Sequence, residues 1–278
     1  MRFPRASGVL LHPTSLPGPH GSGDLGAGAY HFVDWLVTGA QRLWQILPLN
    51  GIGIGDSPYM SSSAFAGNVL LIDLQDLHHR GWLGVADLRG DPQFSDRRVD
   101  FRAMVPFRMQ RLAMAAHRFD AVASAAERAE LAAFCERHAS WLDDYALFMT
   151  LAEHFVGREW PDWDAPLAFR EPAALAAARL AHAGRIAFWK FCQWRFHAQW
   201  LSLRSYANQR DVKIVGDAPI FIAHHSAEVW ARPELFELDA KGIPSVVAGV
   251  PPDLFSTTGQ RWGNPLYRWS AHAEEGYA

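Results

Sequence analysis

Three groups of polar side chains directly follow three short apolar runs of the sequence. The groups are His12, Thr14 and Ser15; Asn50, Asp56, Ser57 and Tyr59; and Asp217, His224 and His225. Carboxylates and imidazoles can act as general acids, bases or nucleophiles, while hydroxyl and amide groups can orient a polar ligand. If the apolar runs are parallel strands, the three groups lie at the carboxyl edge of one sheet, where α/β folds build their sites.

Each of these side chains also has a structural interpretation. His12 is more simply a hydrogen-bonded structural histidine, and Asp56 lies in a Gly-Asp-Ser-Pro segment that is typical of a turn. Asp217 is the stronger functional candidate, because a charge that directly follows a buried strand needs a partner or a ligand. The adjacent His224 and His225 lack the further ligands of a metal cluster, so no metal site is predicted.

Residues 21–26 match the nucleotide-binding pattern G-x-G-x-x-G and precede a helical pattern. A dinucleotide fingerprint requires its glycines directly after the strand. Here a proline-rich segment, residues 13–20, intervenes, and Asp24 would face the phosphates. The sequence therefore argues against a dinucleotide site.

Composition excludes several classes of protein. The chain has 278 residues, of which 49% are hydrophobic and 20% are charged, which argues against disorder. A formal net charge of −3 gives no broad basic surface, so no nucleic-acid partner is expected. No apolar stretch is long enough to span a membrane, and residues 1–5 precede no secretory apolar region. Two distant cysteines, Cys135 and Cys192, suggest neither a disulfide framework nor a zinc site, so a cytoplasmic location is expected.

Tryptophan is abundant, with 12 residues in a chain that is 13% aromatic. Large buried cores account for many tryptophans in ordinary proteins. The alternative is a set of aromatic platforms for a flat, hydroxylated ligand such as a sugar, whose C–H faces stack on rings. Composition leaves both interpretations open.

Hydrophobic periodicity predicts the elements that position the polar groups. Residues 8–11 and 43–49 are continuous apolar runs typical of buried parallel strands, and residues 29–40 have helical spacing between them. Residues 212–217 are predicted to be a third buried strand that ends in a carboxylate. Strand, helix and strand within about 40 residues predict a βαβ unit with parallel strands. The expected fold class is therefore α/β.

The middle of the chain is predicted to be a helical insertion. A loop is expected at residues 86–99, and helices at 121–139, 141–155 and 186–209, with an interruption at 157–172. A long loop is expected at 246–269, and structureless loops of that length are usually functional. The predicted organisation is a barrel part with two strands (1–84), a helical insertion (85–184), and a barrel part with the third strand and the long loop (185–278).

Several long motifs resemble those of one family, the amylomaltases, which are bacterial 4-α-glucanotransferases of glycoside hydrolase family 77. The matching segments at the start of the chain are SGVLLHPTSLPGPHGSGDLG, LWQILPLN and GDSPYMSSSAFAGNVLLIDLQDL. Those nearer its end are VKIVGDAPIFIA, HSAEVWARPELFELD and VVAGVPPDLFSTTGQRWGNPLY, and WLDDYALFM fits the helical insertion.

The resemblance implies the N-terminal portion of a (β/α)8 TIM barrel that transfers α-1,4-glucan segments between maltodextrins. The implied chemistry is a retaining double displacement by two carboxylic acids, in which a sugar hydroxyl replaces water as the acceptor. Such transfer requires exclusion of water, and residues 249–262 resemble the family's mobile loop over the acceptor side. No metal or organic cofactor is implied, and the implied partner is an α-1,4-glucan.

The resemblance also assigns site residues by position. Those expected to contact glucose are Ser57, Tyr59, Asp217, Asp253, Gln260, Trp262 and Asn264. Phe101 falls at the aromatic position of a secondary glucan site, where the phenol hydroxyl is lost. Two further positions depart from the family pattern. Met60 stands where the family usually has a polar residue, and His224 and His225 stand where it usually has more acidic residues.

The family's catalytic motifs, of the Arg-Ile-Asp-His-Phe-Arg and Ala-Glu-Asp-Leu-Gly types, are not found in the sequence. The nucleophile and the acid/base are therefore expected beyond residue 278, with Asp217 in a supporting role. Asp217 and Asp253 are not expected to form a catalytic pair. The alternative is a catalytically incomplete or vestigial maltodextrin-binding protein. Coding DNA that continues in frame with an Ile-Asp-His-Phe-Arg-like stretch favours the enzyme.

Three parallel strands cannot close a barrel, so the third strand should present an open edge and an uncovered apolar face. We therefore predict that the isolated 278-residue chain is poorly soluble, oligomeric or partly molten. Sedimentation and calorimetry test this expectation. A monodisperse monomer that melts cooperatively would contradict it.

Overall fold

A computed structural model describes residues 5–89, 94–95 and 97–277 of the chain. Its strands are β1 (Gly8–Leu10), β2 (Leu43–Gln45), β3 (Lys213–Val215), β4 (Val247–Val250) and β5 (Gln260–Pro265). Its helices are α1 (Ala27–Thr38), α2 (Leu74–His79), α3 (Val85–Leu88), α4 (Phe101–Val122), α5 (Ala125–Arg137), α6 (Ala139–His154), α7 (Ala165–Ala168), α8 (Pro172–Ala181), α9 (Ala183–Asn208), α10 (Ala227–Ala231) and α11 (Trp269–Glu274).

The described chain divides into two compact units. The first contains the described parts of residues 1–49, 67–137 and 190–218, and the second those of 50–66, 138–189 and 219–278. This division does not follow chain order. The organisation predicted in chain order, as barrel part, helical insertion and barrel part, stays a prediction, and its residues 1–4 and 278 lie outside the described residues.

The first unit contains the predicted parallel sheet, in the order β1-β2-β3. Val9 pairs with Trp44, and Trp44 pairs with Ile214. Helix α1 connects β1 to β2, so the predicted βαβ unit is confirmed. All three strands are shorter than the apolar runs that predicted them.

The predicted burial of all three strands is wrong for the two outer ones. Trp44 of β2 is completely buried, whereas Leu10 of β1 is 57% exposed and Val215 of β3 is 41% exposed. Both exposed residues lie on strands at the edges of the sheet. A continuous apolar run indicates which residues can be buried, but burial also requires an element that covers them.

The helices agree with the sequence analysis in position but differ in their boundaries. The predicted helix at 121–139 is interrupted, because Ser124 and Glu127 form a capping box that starts α5. The Ser124 backbone N–H donates to Glu127 Oε2 at 2.9 Å, and the Glu127 N–H donates to Ser124 Oγ at 3.2 Å. The loop expected from residue 86 is partly wrong, because α3 occupies its start, and residues 90–93 and 96 of it lie outside the described residues.

The long loop expected at 246–269 is wrong. Strands β4 and β5 form an antiparallel hairpin with a register shift between Val247 and Gly249. Pro251, Pro252 and Gly259 lie in the connection between the strands, and their turn signals obscured the short pairing segments on either side. Each strand satisfies the other's backbone groups, which an isolated loop would leave to water.

Most tryptophans belong to cores. Trp82 contacts the rings of Phe119, Phe191 and Trp194 in the first unit, at centroid distances of 5.0, 5.6 and 5.9 Å. Seven of the twelve side chains are buried, namely Trp44, Trp82, Trp160, Trp163, Trp189, Trp194 and Trp230. Core packing therefore explains the majority, while exposed Trp262 remains available as a platform. In the described part of the chain, no helix has the length and hydropathy to cross a membrane.

A completely buried arginine of α4 connects two loops of the first unit. The Arg108 guanidinium donates to Asp24 Oδ2 at 2.9 Å, to the Ile72 carbonyl at 2.7 Å and to the His20 carbonyl at 3.1 Å. Asp24 Oδ1 also accepts from the Gly26 N–H at 3.0 Å. Burial, with Arg108 nearby, lowers the pKa of His20 to about 4, so the imidazole stays neutral beside the cation. Asp24 thus neutralises a buried charge, and this accounts for its place in the Gly-rich segment.

We predict that Asp24→Asn lowers the free energy of unfolding by about 3–5 kcal/mol, because it leaves the Arg108 charge buried without its counter-ion. Urea unfolding followed by far-UV circular dichroism measures the loss. Asp211→Asn is the control, since Asp211 forms an exposed pair with Arg42 at 3.8 Å and its change should have little effect. Equally small effects of both variants would contradict the prediction.

Candidate functional site

The second unit contains a cavity of about 740 Å³. Four parts of the chain form its wall: residues 53–62, the end of α6 with the segment after it, residues 223–225, and the β4–β5 hairpin with the turn before it. The lining residues are Gly53, Ile54, Met60, Ser62, Ala152, Gly157, Arg158, Glu159, Ala223, His224, His225, Ile243, Pro244, Val247, Arg261, Trp262 and Gly263. Its volume falls within the range of about 300–1,000 Å³ that is usual for small-molecule sites.

His225 presents a neutral imidazole at this wall. Its Nδ1 accepts a hydrogen bond from the backbone N–H of Trp160 at 3.0 Å, which places the proton of the neutral ring on Nε2. Burial lowers the pKa of His225, while the Glu159 carboxylate opposes that shift. The side chain packs against Phe148 and Trp163, at centroid distances of 5.0 and 5.8 Å. It is therefore a fixed, uncharged hydrogen-bond donor.

His224 joins two segments of the wall. Its Nε2 donates to the Gly242 carbonyl at 2.7 Å, and its Nδ1 lies 3.1 Å from Glu159 Oε2. His224 therefore connects the turn at Gly242 to the segment that carries Glu159. The Trp160 indole N–H donates to the His224 carbonyl at 2.9 Å and strengthens the same junction.

Residues 50–66 are irregular backbone held by side-chain hydrogen bonds. The Asn50 amide donates to the carbonyls of Ser63, Ala64 and Ala66 at 3.0–3.3 Å. The Ser61 hydroxyl donates to the Ser63 carbonyl at 2.8 Å, and both serines are buried. These bonds replace the ladder of a strand or helix and bring Met60 and Ser62 to the cavity.

Trp262 lies on β5, at the cavity wall, and is 42% exposed. Its indole N–H donates to Gln260 Oε1 at 3.1 Å, so Gln260 orients the ring. Both residues were expected in a loop and are found on a strand. An oriented, partly exposed indole is a suitable stacking surface for an apolar ligand face.

Asp253 and Asn264 are engaged in local structure. Asp253 Oδ1 accepts from the backbone N–H groups of Phe255 and Ser256, both at 2.8 Å, and so shapes the hairpin connection. Asn264 is buried, and its amide donates to the Ile222 carbonyl at 3.0 Å. A ligand contact through the Asn264 amide would require that bond to break.

Ser57 and Tyr59 lie between Ile54 and Met60, which line the cavity. The Ser57 hydroxyl accepts from the Tyr59 N–H at 3.3 Å, and the Tyr59 side chain is 42% exposed. Asp56 has a φ of 57°, in agreement with its interpretation as a turn residue. The structure therefore keeps the Ser57–Tyr59 strip at the surface beside the wall.

Three predicted residues belong to the first unit. Asp217 follows β3, His12 follows β1, and Phe101 is the first residue of α4. His12 Nδ1 lies 2.7 Å from the Thr14 hydroxyl, and burial lowers the pKa of His12, as fits its structural interpretation. Phe101 is half-buried behind the helix cap formed by Asp100. Ligand contacts of Asp217 and Phe101 stay predictions.

Sequence reasoning missed Arg158, Glu159 and Arg261 as wall residues. Arg158 and Glu159 lie in the predicted interruption at 157–172, where clustered glycine, charge and tryptophan were the available signal. Within the described residues, no group of three or more His, Cys, Asp and Glu side chains could hold a metal ion. The wall offers two imidazoles, one hydroxyl, one acidic and two basic groups, and an indole ring, a set suited to a polyhydroxyl ligand.

The chain matches the family model described as 4-alpha-glucanotransferase over residues 11–278. The chain belongs to that family. This confirms the family resemblance carried by the sequence motifs.

Curated relatives agree with this assignment. A 4-alpha-glucanotransferase of Thermus thermophilus is 51% identical over 278 residues, which are 100% of this chain and 55% of the relative. One of Synechocystis sp. is 45% identical, over 99% of this chain and 54% of the relative. The chain thus spans about half the length of the curated relatives that it matches.

Solved structures give the same result for the fold. The amylomaltase from Streptococcus agalactiae, solved in complex with acarbose, matches with a TM-score of 0.92 and 42% identity, over 98% of this chain and 55% of that chain. An amylomaltase from Corynebacterium glutamicum, at 18% identity and a TM-score of 0.66, covers 98% of this chain and 38% of that chain, and supports the fold alone. The predicted α/β fold class is confirmed.

We predict that Gly242→Ala destabilises the wall more than Gly157→Ala. Both glycines have positive φ, 78° and 77°, so alanine costs each about 1–2 kcal/mol of backbone strain. At Gly242 a Cβ would also lie 2.3 Å from the Trp160 ring, whereas at Gly157 no atom lies within 4 Å. The difference between the two free energies of unfolding, from urea titration, isolates the ring contact. It should reach about 1–3 kcal/mol, and equal losses would argue against this packing.

Proposed function

We propose that this chain forms the glucan-binding part of a 4-α-glucanotransferase that transfers α-1,4-glucan segments between maltodextrins. The observation that carries the proposal is the cavity of the second unit, where the oriented Trp262 ring faces a wall of hydrogen-bonding groups. Family membership supports the reaction class. A similar structure, the amylomaltase from Streptococcus agalactiae, is in complex with acarbose, which supports an oligosaccharide as the ligand.

The chemistry of the wall fits a neutral sugar chain. A glucose ring offers C–H faces to an indole and hydroxyl groups to polar side chains. The neutral Nε2–H of His225, the Ser62 hydroxyl, the Arg158 guanidinium and the Glu159 carboxylate can bind hydroxyl groups as donors and acceptors. We propose Ser57, Tyr59 and Trp262 as the glucose contacts of the second unit.

For the reaction we propose the retaining double displacement implied by the family resemblance. Asp253 is poorly suited to be the nucleophile of this reaction, because its carboxylate accepts hydrogen bonds from the backbone of its own turn. We therefore propose that the nucleophile and the acid/base lie outside residues 1–278, and that Asp217 has a supporting role. The assignment of the chain to the N-terminal portion of a (β/α)8 barrel and the cytoplasmic location, both expected from the sequence, remain part of this proposal.

Water exclusion is the proposed task of the hairpin connection. Leu254 and Phe255 at its tip are 94% and 90% exposed. Exposed apolar side chains at the end of a hairpin can cover a bound sugar and keep water from a covalent intermediate. Transfer to another sugar hydroxyl is then favoured over hydrolysis.

We predict that Trp262→Ala weakens acarbose binding to the chain roughly tenfold, or about 1.4 kcal/mol, because the stacking ring is lost. Isothermal titration calorimetry measures the dissociation constant. Trp35→Ala is the matched control, since Trp35 is 53% exposed on α1 and should not alter binding.

Two outcomes would contradict the proposed function. Failure of the unmodified chain to bind acarbose would contradict the proposed glucan site. Equal affinities of the Trp262→Ala and Trp35→Ala variants would contradict the proposed contact of Trp262 with the ligand. Incubation with maltotriose separates binding from turnover. Disproportionation by the 278-residue chain itself would overturn the proposed location of the catalytic acids, and binding without turnover agrees with it.

A further inference from the structure

A partly buried hydrogen bond connects α10 to the irregular segment that carries the cavity residues. The Ser63 hydroxyl and Glu228 Oε1 are 2.6 Å apart. The same hydroxyl accepts from the N–H groups of Phe65 and Ala66, at 3.2 and 3.1 Å. With both lone pairs of Ser63 occupied, its hydrogen is donated to Glu228. Glu228 therefore determines the orientation of a hydroxyl that holds two backbone groups.

A second bond joins the same two elements one residue earlier. The Ala227 N–H donates to the Ser62 carbonyl at 2.9 Å. The start of α10 thus holds Ser62 through its backbone and Ser63 through its side chain. Ser62 and Met60 line the cavity, so Ser63 lies one residue from the first and three residues from the second.

The surroundings of Glu228 favour its uncharged form. In the described chain, its Oε2 is buried without a hydrogen-bond partner. Burial raises the pKa of Glu228 above its ordinary value of 4.5, while hydrogen bonds from the Ser63 hydroxyl and from the backbone of Glu228, Ala64 and Phe65 oppose the shift. The ionisable neighbours in the smaller cavity beside it are Asp144 of α6, Arg232 after α10, and Tyr267 and His272. Burial, with Glu228 nearby, raises the pKa of Tyr267, which therefore remains neutral beside it.

We propose that Glu228 is a positioning residue for the glucan site, and that its buried carboxyl holds residues 60–66 through Ser63 so that Met60 and Ser62 face the ligand. This inference rests on the proposed function for its ligand. Glu228 itself does not line the cavity that is proposed to take the sugar; it lines the neighbouring one. A neutral acid and an amide can accept the same bond from Ser63, so charge is not required for the role.

The test compares Glu228→Gln and Glu228→Ala in the full chain, with two readouts. Amide hydrogen exchange of residues 57–66 reports order in the segment, and calorimetric titration with acarbose reports the site. Glu228→Ala should speed exchange and weaken acarbose binding by about tenfold, because Ser63 loses its buried partner. Glu228→Gln should restore both to within about twofold of the unmodified chain. Glu153→Gln, which changes an exposed carboxylate paired with Arg185, is the control.

The pH profile separates positioning from a merely structural role. A raised pKa of an acid in the folded state stabilises the fold below the unfolded value, and that contribution is lost as pH rises through the folded pKa. Protection of residues 57–66 in the unmodified chain should therefore fall as the pH rises above 4.5 and through the raised pKa, whereas Glu228→Gln should not show this fall.

Distinct results overturn the inference and the function on which it rests. A glutamine variant as damaging as the alanine variant, or unchanged exchange in both, would overturn the role of Glu228. If Glu228→Ala fails to fold, hydrogen exchange of residues 57–66 in Glu228→Gln, measured against pH, still tests the proposal. A pH dependence identical to that of the unmodified chain would count against the positioning role of Glu228. Loss of acarbose binding in every form of the chain, with the exchange results as expected, would overturn the glucan function alone.

Discussion

The candidate site depends on one physical constraint, which is that buried backbone groups in irregular segments need hydrogen-bond partners. The second unit builds much of its wall from such segments. Its side chains supply the partners: Asn50 for three carbonyls, Asn264 for the Ile222 carbonyl, and His225 for the Trp160 N–H. An unpaired buried group costs about 1–3 kcal/mol, so these polar side chains are as necessary to the fold as its apolar core.

The same constraint explains why polar residues near the cavity both stabilise the fold and position groups at the cavity wall. His225 accepts from the backbone with one nitrogen, and this bond leaves its other nitrogen as a donor at the wall. Gln260 accepts from the Trp262 indole and thereby orients the ring. Structural hydrogen bonds thus pre-organise the groups that meet a ligand, and a pre-organised wall avoids part of the entropy cost of binding.

The sequence predicted elements where one local signal sufficed. Continuous apolar runs located β1 and β2, a short apolar segment that ends at Asp217 located β3, and helical spacing located α1, because each signal depends on residues close in sequence. The exposure of Leu10 and Val215 could not be predicted, since burial depends on what packs against a strand. The β4–β5 hairpin was missed for a related reason: two short strands stabilise each other across a connection rich in proline and glycine, and neither alone has a strand signal.

For the site, motifs located segments but did not assign roles to atoms. Ser57, Tyr59, Asp253, Gln260, Trp262 and Asn264 all lie in matched motifs, yet the structure gives them different tasks. Trp262 offers a ring to the cavity, Gln260 orients that ring, and Asn264 is buried in the framework. A motif is specific because its residues must perform all these tasks together. The hydrogen-bond pattern distinguishes a side chain that is available to a ligand from one that positions another side chain.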